Sequence, residues 1–519
     1  MQIHNFRPRL HLDILSSIPS HFEKSRDVSS FMQVCRALYG ISVPHLLDPK
    51  REGVTLRSTQ DALAFITFMS ATSHSHRRFN SLSDLRIYIA FDEIDELISP
   101  QNAEEIGRSL AEILRRSVNL ERLSFSDSIL SLDDPEIFAV FKDLKSHRRL
   151  QALDMSIGKQ SGCRLLNEIG AVPLSKLRIG FGEEVGMGPE MLLPFASTVT
   201  CLNVNIPYLA GLRRIRCPNV RELCLVTSDN LVTSDILVVF PRVRDFTLVG
   251  DWPFPYPLID EVTALARRGD NQGRLIRDNV DSMKFRYVEG SSSLLYMMKL
   301  LPGIRELNLS SDEWCRNSLK RAIQVVRDCS PKVLRISVEG SSKGEEVKER
   351  LQELSQILNT TGTTHFYLDI MLKGQALLAS MSTLASILAK FTTLEYLLVR
   401  IQYNTYCGVA LEPHALDAGK AQNWAERDIN RGLLECVANA IARGNPSLKQ
   451  VGFAWLGTSK RGYAYWEVLR PGDKKGGSDE VRWQTLVVMD EFKGRDSELK
   501  FWASTKEKDE KLGPGVGMS

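Results

Sequence analysis

The sequence predicts an α/β solenoid, with parallel strands along one side and helices along the other. Three observations carry that expectation. First, a short phrase keeps returning, apolar, two variable residues, apolar, one variable residue, apolar. It reads VNLERLSF at 118–125, RRLQALDM at 148–155, VPLSKLRI at 172–179, STVTCLNV at 197–204, PNVRELCL at 218–225, PRVRDFTL at 241–248 and PGIRELNL at 302–309. Second, the stretches between copies carry helix-like periodicity, which is how a stack of strand–helix units reads in sequence. Third, 519 residues exceed what one compact core holds, so the chain is an open-ended stack or several domains.

Each phrase demands a strand, because apolar residues two apart point to one face and the residues between them point away. The second apolar positions are Leu85, Leu123, Leu153, Leu177, Leu202, Leu223, Phe246, Met283, Leu307, Ile336, Phe366, Leu397 and Val451. Between 177, 202, 223 and 246 the steps are 25, 21 and 23 residues, inside the range of leucine-rich repeats. The longer steps, 85 to 123 and 246 to 283, carry inserted helix or loop.

Helix starts are legible between the strands. Asp133-Asp134-Pro135 offers a cap and a proline at the first helical position, ahead of Ile137, Phe138, Phe141 and Leu144. Residues 345–358, 318–329 and 433–441 show helical apolar stripes. The most apolar long stretch, 376–391, is interrupted by Ser380, Ser382, Thr383, Ser386 and Lys390, so it reads as an amphipathic helix rather than a membrane span.

The two ends depart from the repeat. Residues 462–469 and 481–488 alternate and are dense in aromatics, which predicts an antiparallel β cap over 451–503 closing the open sheet edge. Residues 504–519 are polar and glycine-rich and predict a disordered tail. At the other end, residues 1–50 form a helical segment ahead of the solenoid at 51–450. Leu10, Leu12, Ile14, Leu15 and Ile18 make one short apolar helix. Val28, Phe31, Val34, Cys35, Leu38 and Tyr39 make a second stripe, and residues 43–47 a third short element. Three short helices make too small a core to be comfortable alone.

This segment resembles an F-box. The family opens with Leu-Pro, one residue, an acid and two aliphatics, and here Leu10-His11-Leu12-Asp13-Ile14-Leu15 stands in that place. Val34-Cys35-Arg36, with Tyr39 three residues on and then Pro44 and Leu46, stands where the family's second helix ends. His11 occupies the family's proline position, and Pro8 lies three residues upstream. With the repeats that follow, the chain resembles a fungal-type F-box and leucine-rich-repeat protein. The resemblance implies that Leu10, Leu12, Ile14, Leu15, Ile18, Val34, Leu38, Pro44 and Leu46 face a Skp-family adaptor, and through it cullin and RING subunits of a ubiquitin ligase. The repeat horseshoe would hold a protein substrate, raising its local concentration near the ligase. The alternative is a non-enzymatic leucine-rich-repeat scaffold or inhibitor whose N-terminal helices only cap the solenoid.

Outward residues on the strands are the candidate substrate surface: Asp84, Arg86 and Tyr88; Asp154 and Ser156; Lys176 and Arg178; Asn203 and Asn205; Glu306, Asn308 and Ser310; His365, Tyr367 and Asp369. The middle repeats offer Cys224, Val226, Thr247 and Val249 instead. Directly after comes Asp251-Trp252-Pro253-Phe254-Pro255-Tyr256-Pro257, whose alternating prolines keep it stiff. Trp252, Phe254 and Tyr256, with Val226, Val249 and Tyr367, are the expected apolar anchors for a partner. The competing reading folds these aromatics under the adjacent helix to seal an irregular repeat.

The remaining composition argues against other classes. Formal charge is +3, from 66 basic and 63 acidic residues, so no general drive toward nucleic acid or anionic lipid is expected. The basic clusters at 76–78, 147–149 and 213–216 read as solvated faces or helix C-terminal charges. Nine cysteines without a close pair, and a start that lacks a secretory core, predict reduced thiols in the cytosol or nucleus. Gly180-Phe181-Gly182-Glu183-Glu184-Val185-Gly186 places acids where a phosphate would lie and reads as a turn. Histidines show no metal spacing, and no nucleophile pattern occurs. No cofactor, metal or catalytic residue is expected.

Overall fold

The computed structural model describes residues 12–22, 25–34, 36–47, 53–71, 75–89, 100–126, 135–157, 160–169, 172–181, 189–205, 212–227, 231–250, 260–280, 283–310, 318–339, 344–372, 384–403, 431–456, 461–468 and 483–489. The chain divides into two compact units, Met1–Val243 and Arg244–Ser519. The expected tail at 504–519 lies outside the described residues.

The first unit opens with helices α1 (Leu12–His21), α2 (Ser25–Met32) and α3 (Arg36–Leu46). The expected second stripe is split. Bonds from Gln33 N to Ser30 O and from Val34 N to Phe31 O, each 3.3 Å, close α2 before Cys35. A new helix then runs from Arg36 through Pro44, absorbing the expected third element. Short-range i→i−3 closure is how a helix end tightens, and apolar spacing alone does not reveal it.

Strands β1 (Val54–Leu56), β2 (Asp84–Ile87), β3 (Arg122–Ser126), β4 (Ala152–Ile157), β5 (Lys176–Phe181), β6 (Cys201–Asn205) and β7 (Glu222–Thr227) follow in chain order. Each pairs in parallel with the next. Register sets Leu85, Leu123, Leu153, Leu177, Leu202 and Leu223 in one row, all buried. Helices α4 (Thr59–Ser70), α5 (Ser75–Ser81), α6 (Pro100–Arg116), α7 (Pro135–Lys142), α8 (Gln160–Glu168) and α9 (Thr233–Val239) bury their apolar sides in the same core. α7 starts on Pro135, as expected of a proline whose missing N–H costs nothing at that position.

One hydrogen-bond device repeats at the entries of β2 to β6. Ser83 O accepts from Glu121 N at 2.8 Å and Arg122 N at 2.9 Å. Glu121 O then accepts from Gln151 N and Ala152 N, Gln151 O from Ser175 N and Lys176 N, Ser175 O from Thr200 N and Cys201 N, and Thr200 O from Arg221 N and Glu222 N. The carbonyl just before each of these strands takes two successive donors from the next repeat. Both of those donors are thereby satisfied where the chain enters the sheet.

The second unit carries β8 (Asp245–Gly250), β9 (Tyr287–Ser291), β10 (Glu306–Ser310), β11 (Val333–Glu339), β12 (His365–Leu372), β13 (Tyr396–Tyr403) and β14 (Gln450–Leu456), again parallel in chain order. β15 (Arg461–Val468) pairs antiparallel with β14, and β16 (Trp483–Met489) antiparallel with β15. Helices α10 (Glu261–Arg277), α11 (Ser292–Met298), α12 (Ser318–Cys329), α13 (Gly344–Thr361) and α14 (Arg431–Gly444) lie between the strands in sequence. The double-donor carbonyl recurs at Arg244, Arg305, Lys332, Thr364 and Glu395. Of the expected amphipathic helix at 376–391, residues 384–388 are helical and 376–383 lie outside the described residues.

Two strand phrases sit in a different frame from the one expected. The inward row runs Phe246, Val288, Leu307, Leu334, Phe366, Leu397 and Val451, so Val288 and Leu334 take the places expected of Met283 and Ile336. Met283 is buried ahead of β9, and Ile336 belongs to the next row. The cause at β9 is Gly290 in the third apolar position. A Cβ there would stand 2.9 Å from Leu248 O and 3.3 Å from Leu295 Cγ. Only glycine lets α11 begin directly after the strand and pack this close.

Candidate functional site

With the frame corrected, Tyr287, Glu289, Asn308, Arg335, Tyr367, Leu398 and Arg400 are the side chains of the outward strand face in the second unit. A polar ladder crosses β9 and β10. Tyr287 Oη donates to Glu289 Oε2 at 2.6 Å, and Asn308 Nδ2 donates to Glu289 Oε1 at 2.8 Å. Burial, reinforced by that carboxylate, pushes the Tyr287 hydroxyl well above the usual phenol range, so it stays a donor.

Beyond the ladder the charge reverses. Arg335 lies with its Cζ 4.4 Å from the Tyr367 ring centroid, and Arg400 at 5.4 Å. Arg400 Nη1 also meets Asp369 Oδ2 at 3.6 Å. The His365 ring stacks on Tyr396 at 4.3 Å with 17° between planes. The face therefore runs from acidic and amide groups on β9 and β10 to guanidinium and aromatic groups on β11–β13.

Tyr367 does not serve as the exposed anchor that alternation predicts. Tyr367 and Leu398 are both 0% exposed and form a small second core on the outward side, with Tyr396 packed against it. Asp369 is buried too. β12 and β13 read HFYLDIML and YLLVRIQY, near-continuous apolar runs of the kind that strands covered on both faces carry. Alternation assigns an outward direction; it does not reveal what covers it. Glu289, Asn308 and Arg335 on this face are half-buried, and Ser310 is exposed.

In the first unit the outward row is charged and alternating. Asp84, expected at the surface, is buried because Arg86 and Arg122 both reach it at 3.2 Å. Gly53, with φ +70, makes room: a Cβ there would lie 2.6 Å from Asp84 Cγ. Asp154 is paired with Arg178 at 3.8 Å, and burial pushes its carboxyl up against the opposing pull of Arg178 and Arg86. Val226 on β7 is half-buried and Val249 on β8 is exposed. Trp252, Phe254 and Tyr256 lie outside the described residues.

The residues expected to face an adaptor distribute unevenly. Leu10 lies outside the described residues. Leu12, Ile14 and Leu15 fall on α1, their side chains likewise outside. Ile18 and Leu46 are half-buried, Pro44 is exposed and Val34 is 70% exposed. Leu38 faces inward with Val28, Met32, Val43 and Leu47, so it supports the segment's own core rather than a partner. The segment is tied to the first repeat through Arg78, whose guanidinium lies 5.3 Å from the Tyr39 ring and 4.9 Å from the Phe68 ring. Arg78 Nη1 also donates to Phe68 O at 2.6 Å and Ala71 O at 2.7 Å. It is buried, correcting the expectation that the 76–78 cluster is solvated; it satisfies carbonyls at the end of α4.

Among the described residues, no group of three histidine, cysteine or acidic side chains could hold a metal ion, and no helix is long and apolar enough to cross a membrane. Desolvation pushes the thiols of Cys201 and Cys217 up to about 11, and that of Cys329 higher still. Held as thiols near neutral pH, they are poor nucleophiles. No protein-family model and no curated protein matches this chain.

Proposed function

We propose that the chain is the substrate-recognition subunit of an SCF-type cullin–RING ubiquitin ligase. The N-terminal helices dock on a Skp-family adaptor, and the outward strand face holds a protein substrate. The observation that carries this reading is the pairing of Leu10–Leu15 and Val34–Tyr39, in F-box order, with parallel strand–helix repeats directly behind them. Val34 is compatible with it, because this apolar side chain is 70% exposed at the end of α2 and open to a partner. The strand face supports the second half. Its ladder of Glu289 and Asn308 beside Arg335 suits a polar, mixed-charge protein surface. The antiparallel strands β15 and β16 act as the cap of the repeat stack, and the protein itself performs no chemistry.

The test is co-expression of the full chain with a Skp-type adaptor, followed by purification of the complex. A stable complex is expected, and Val34→Asp is expected to abolish it while leaving the melting temperature within about 1 °C, as for a surface substitution. Absence of a complex, or a complex indifferent to Val34→Asp, refutes the docking face. A second reading, a repeat scaffold whose first helices are only a cap, is favoured by the Tyr39–Arg78–Phe68 stack. It predicts no adaptor complex at all, together with loss of repeat stability when residues 1–47 are deleted.

A further inference from the structure

The outward face of β2–β5 is open where that of β12 and β13 is covered, and its accessible charge is positive. Two acids, Asp84 and Asp154, stand among four cations, Arg86, Arg122, Lys176 and Arg178. The acids are the recessed partners. Asp84 is 1% exposed between Arg86 at 34% and Arg122 at 46%, and Asp154 is 33% exposed beside Arg178 at 65%. These pairings do not exhaust the cations. Asp84 is shared by two arginines, and a guanidinium carries five N–H donors. Arg178 meets Asp154 only at 3.8 Å, beyond hydrogen-bond length. Lys176 is exposed and makes no ion pair among the described residues. Between the cations the side chains are small. Ser124, Ala152, Ser156 and Gly180 hold outward positions, and a Cβ on Gly180 would meet nothing nearer than Ser156 Oγ at 4.0 Å. Glu222, two strands beyond Lys176, ends the patch.

We propose that this face grips an extended acidic segment of a partner protein, with two carboxylates four residues apart and a serine or threonine midway. The inference rests on the reading that the outward strand face holds a protein substrate, and it names the chemistry of that substrate. Register sets Arg86, Ser124, Asp154 and Arg178 in one row on four successive strands. At about 4.8 Å per strand the two arginines stand about 14 Å apart. A peptide crossing the strands advances about 3.3 Å per residue, and its alternate side chains face the same way. Acids four residues apart therefore span about 13 Å on one side of it. One carboxylate meets Arg86 and Arg122, and the other meets Lys176 and Arg178. The midway hydroxyl falls between Ser124 and Asp154 and donates to the Asp154 carboxylate. Four cations less two acids leave two positive charges, which two carboxylates match.

Surface plasmon resonance of the full chain over immobilised peptides tests this, with no adaptor present. The probe carries two glutamates four residues apart, a serine midway and glycines elsewhere. It is expected to bind, and to release as salt rises. A peptide with both glutamates replaced by glutamine, and one with its glutamates three residues apart and so on opposite sides, are each expected to bind about tenfold more weakly. Lys176→Glu turns an attraction into a repulsion and is expected to weaken binding about tenfold. Its melting should be unchanged, because Lys176 is exposed. Lys145→Glu, the same charge change at an exposed residue of the turn Asp143–Ser146, is expected to leave binding as it was. No binding of the probe, equal binding of either altered peptide, indifference to Lys176→Glu, or an equal loss from Lys145→Glu overturns the proposal. Since no adaptor takes part, such a failure leaves adaptor docking untouched, and the Val34→Asp complex reads that separately.

Discussion

Replacing Asp328 by alanine should destabilise the second unit more than any surface charge change. Asp328 on α12 is 8% exposed and holds two cations, Arg268 of α10, which is 11% exposed, and Lys299 after α11, which is 18% exposed. Lys299 Nζ meets Oδ1 at 2.8 Å, and Gln324 Nε2 donates to the same oxygen at 3.1 Å. One carboxylate thus ties three consecutive helices. Removing it leaves two largely buried cations without an anion, and breaking such a pair from one side costs 3–5 kcal/mol. The residual exposure of both cations lets water compensate in part, so about 3 kcal/mol is expected. For a unit of this size that lowers the melting temperature by roughly 6–12 °C. Arg268→Met should cost less, because Asp328 keeps Lys299. The double variant should cost less than the sum of the two. Circular dichroism or calorimetric melting of the four proteins completes the cycle. If Asp328→Ala melts within 2 °C of the parent, or the two single changes simply add, the ion triad does not hold these helices.

Two further outcomes follow from burial and backbone geometry. His147 is buried, and desolvation depresses its pKa below 6.5 against the raising influence of Asp143 and Ser117. A depressed folded pKa means the stabilising contribution is present above pH 6.5 and is lost as pH falls from there through the folded value. His147→Gln should therefore flatten the decline in melting temperature between pH 7 and pH 5; an unchanged slope would show that His147 is not its source. Gly53→Ala combines a left-handed φ with a Cβ thrust into Asp84, so about 3 kcal/mol should be lost through strain and a displaced buried carboxylate. A chemical melt matching the parent would mean that β1 shifts freely.

The repeat was legible in the chain because its signal is chemical and local. Leu123, Leu153, Leu177, Leu202 and Leu223 fall in one register row because two apolar side chains two apart must share a buried face. The helix at 318–329 was found to the residue for the same reason. The frame failed at β9 because Gly290 gives no apolar signal where close packing requires no side chain at all. That odd shift moved Tyr287 and Glu289 to the wrong face and hid them, whereas the two-residue shift at β11 leaves Arg335 outward in either frame. Reading Phe285, Val288 and Gly290 as the phrase would have exposed them. Tyr367, Asp369, Asp84 and Arg78 were misjudged for a different reason. Their burial depends on what comes to rest against them from elsewhere, a tertiary fact that period-two alternation does not contain.

The carbonyl that accepts two donors at most of the strand entries separates two things that usually vary together. Strand alignment is counted from that oxygen, not from the length of chain leading up to it. Residues 85 to 123 and 202 to 223 span very different distances in sequence, yet their leucines stand in a single row. Insertions on the helical side are therefore cheap to accept, and the lettering of the strand face stays in line while its margins lengthen.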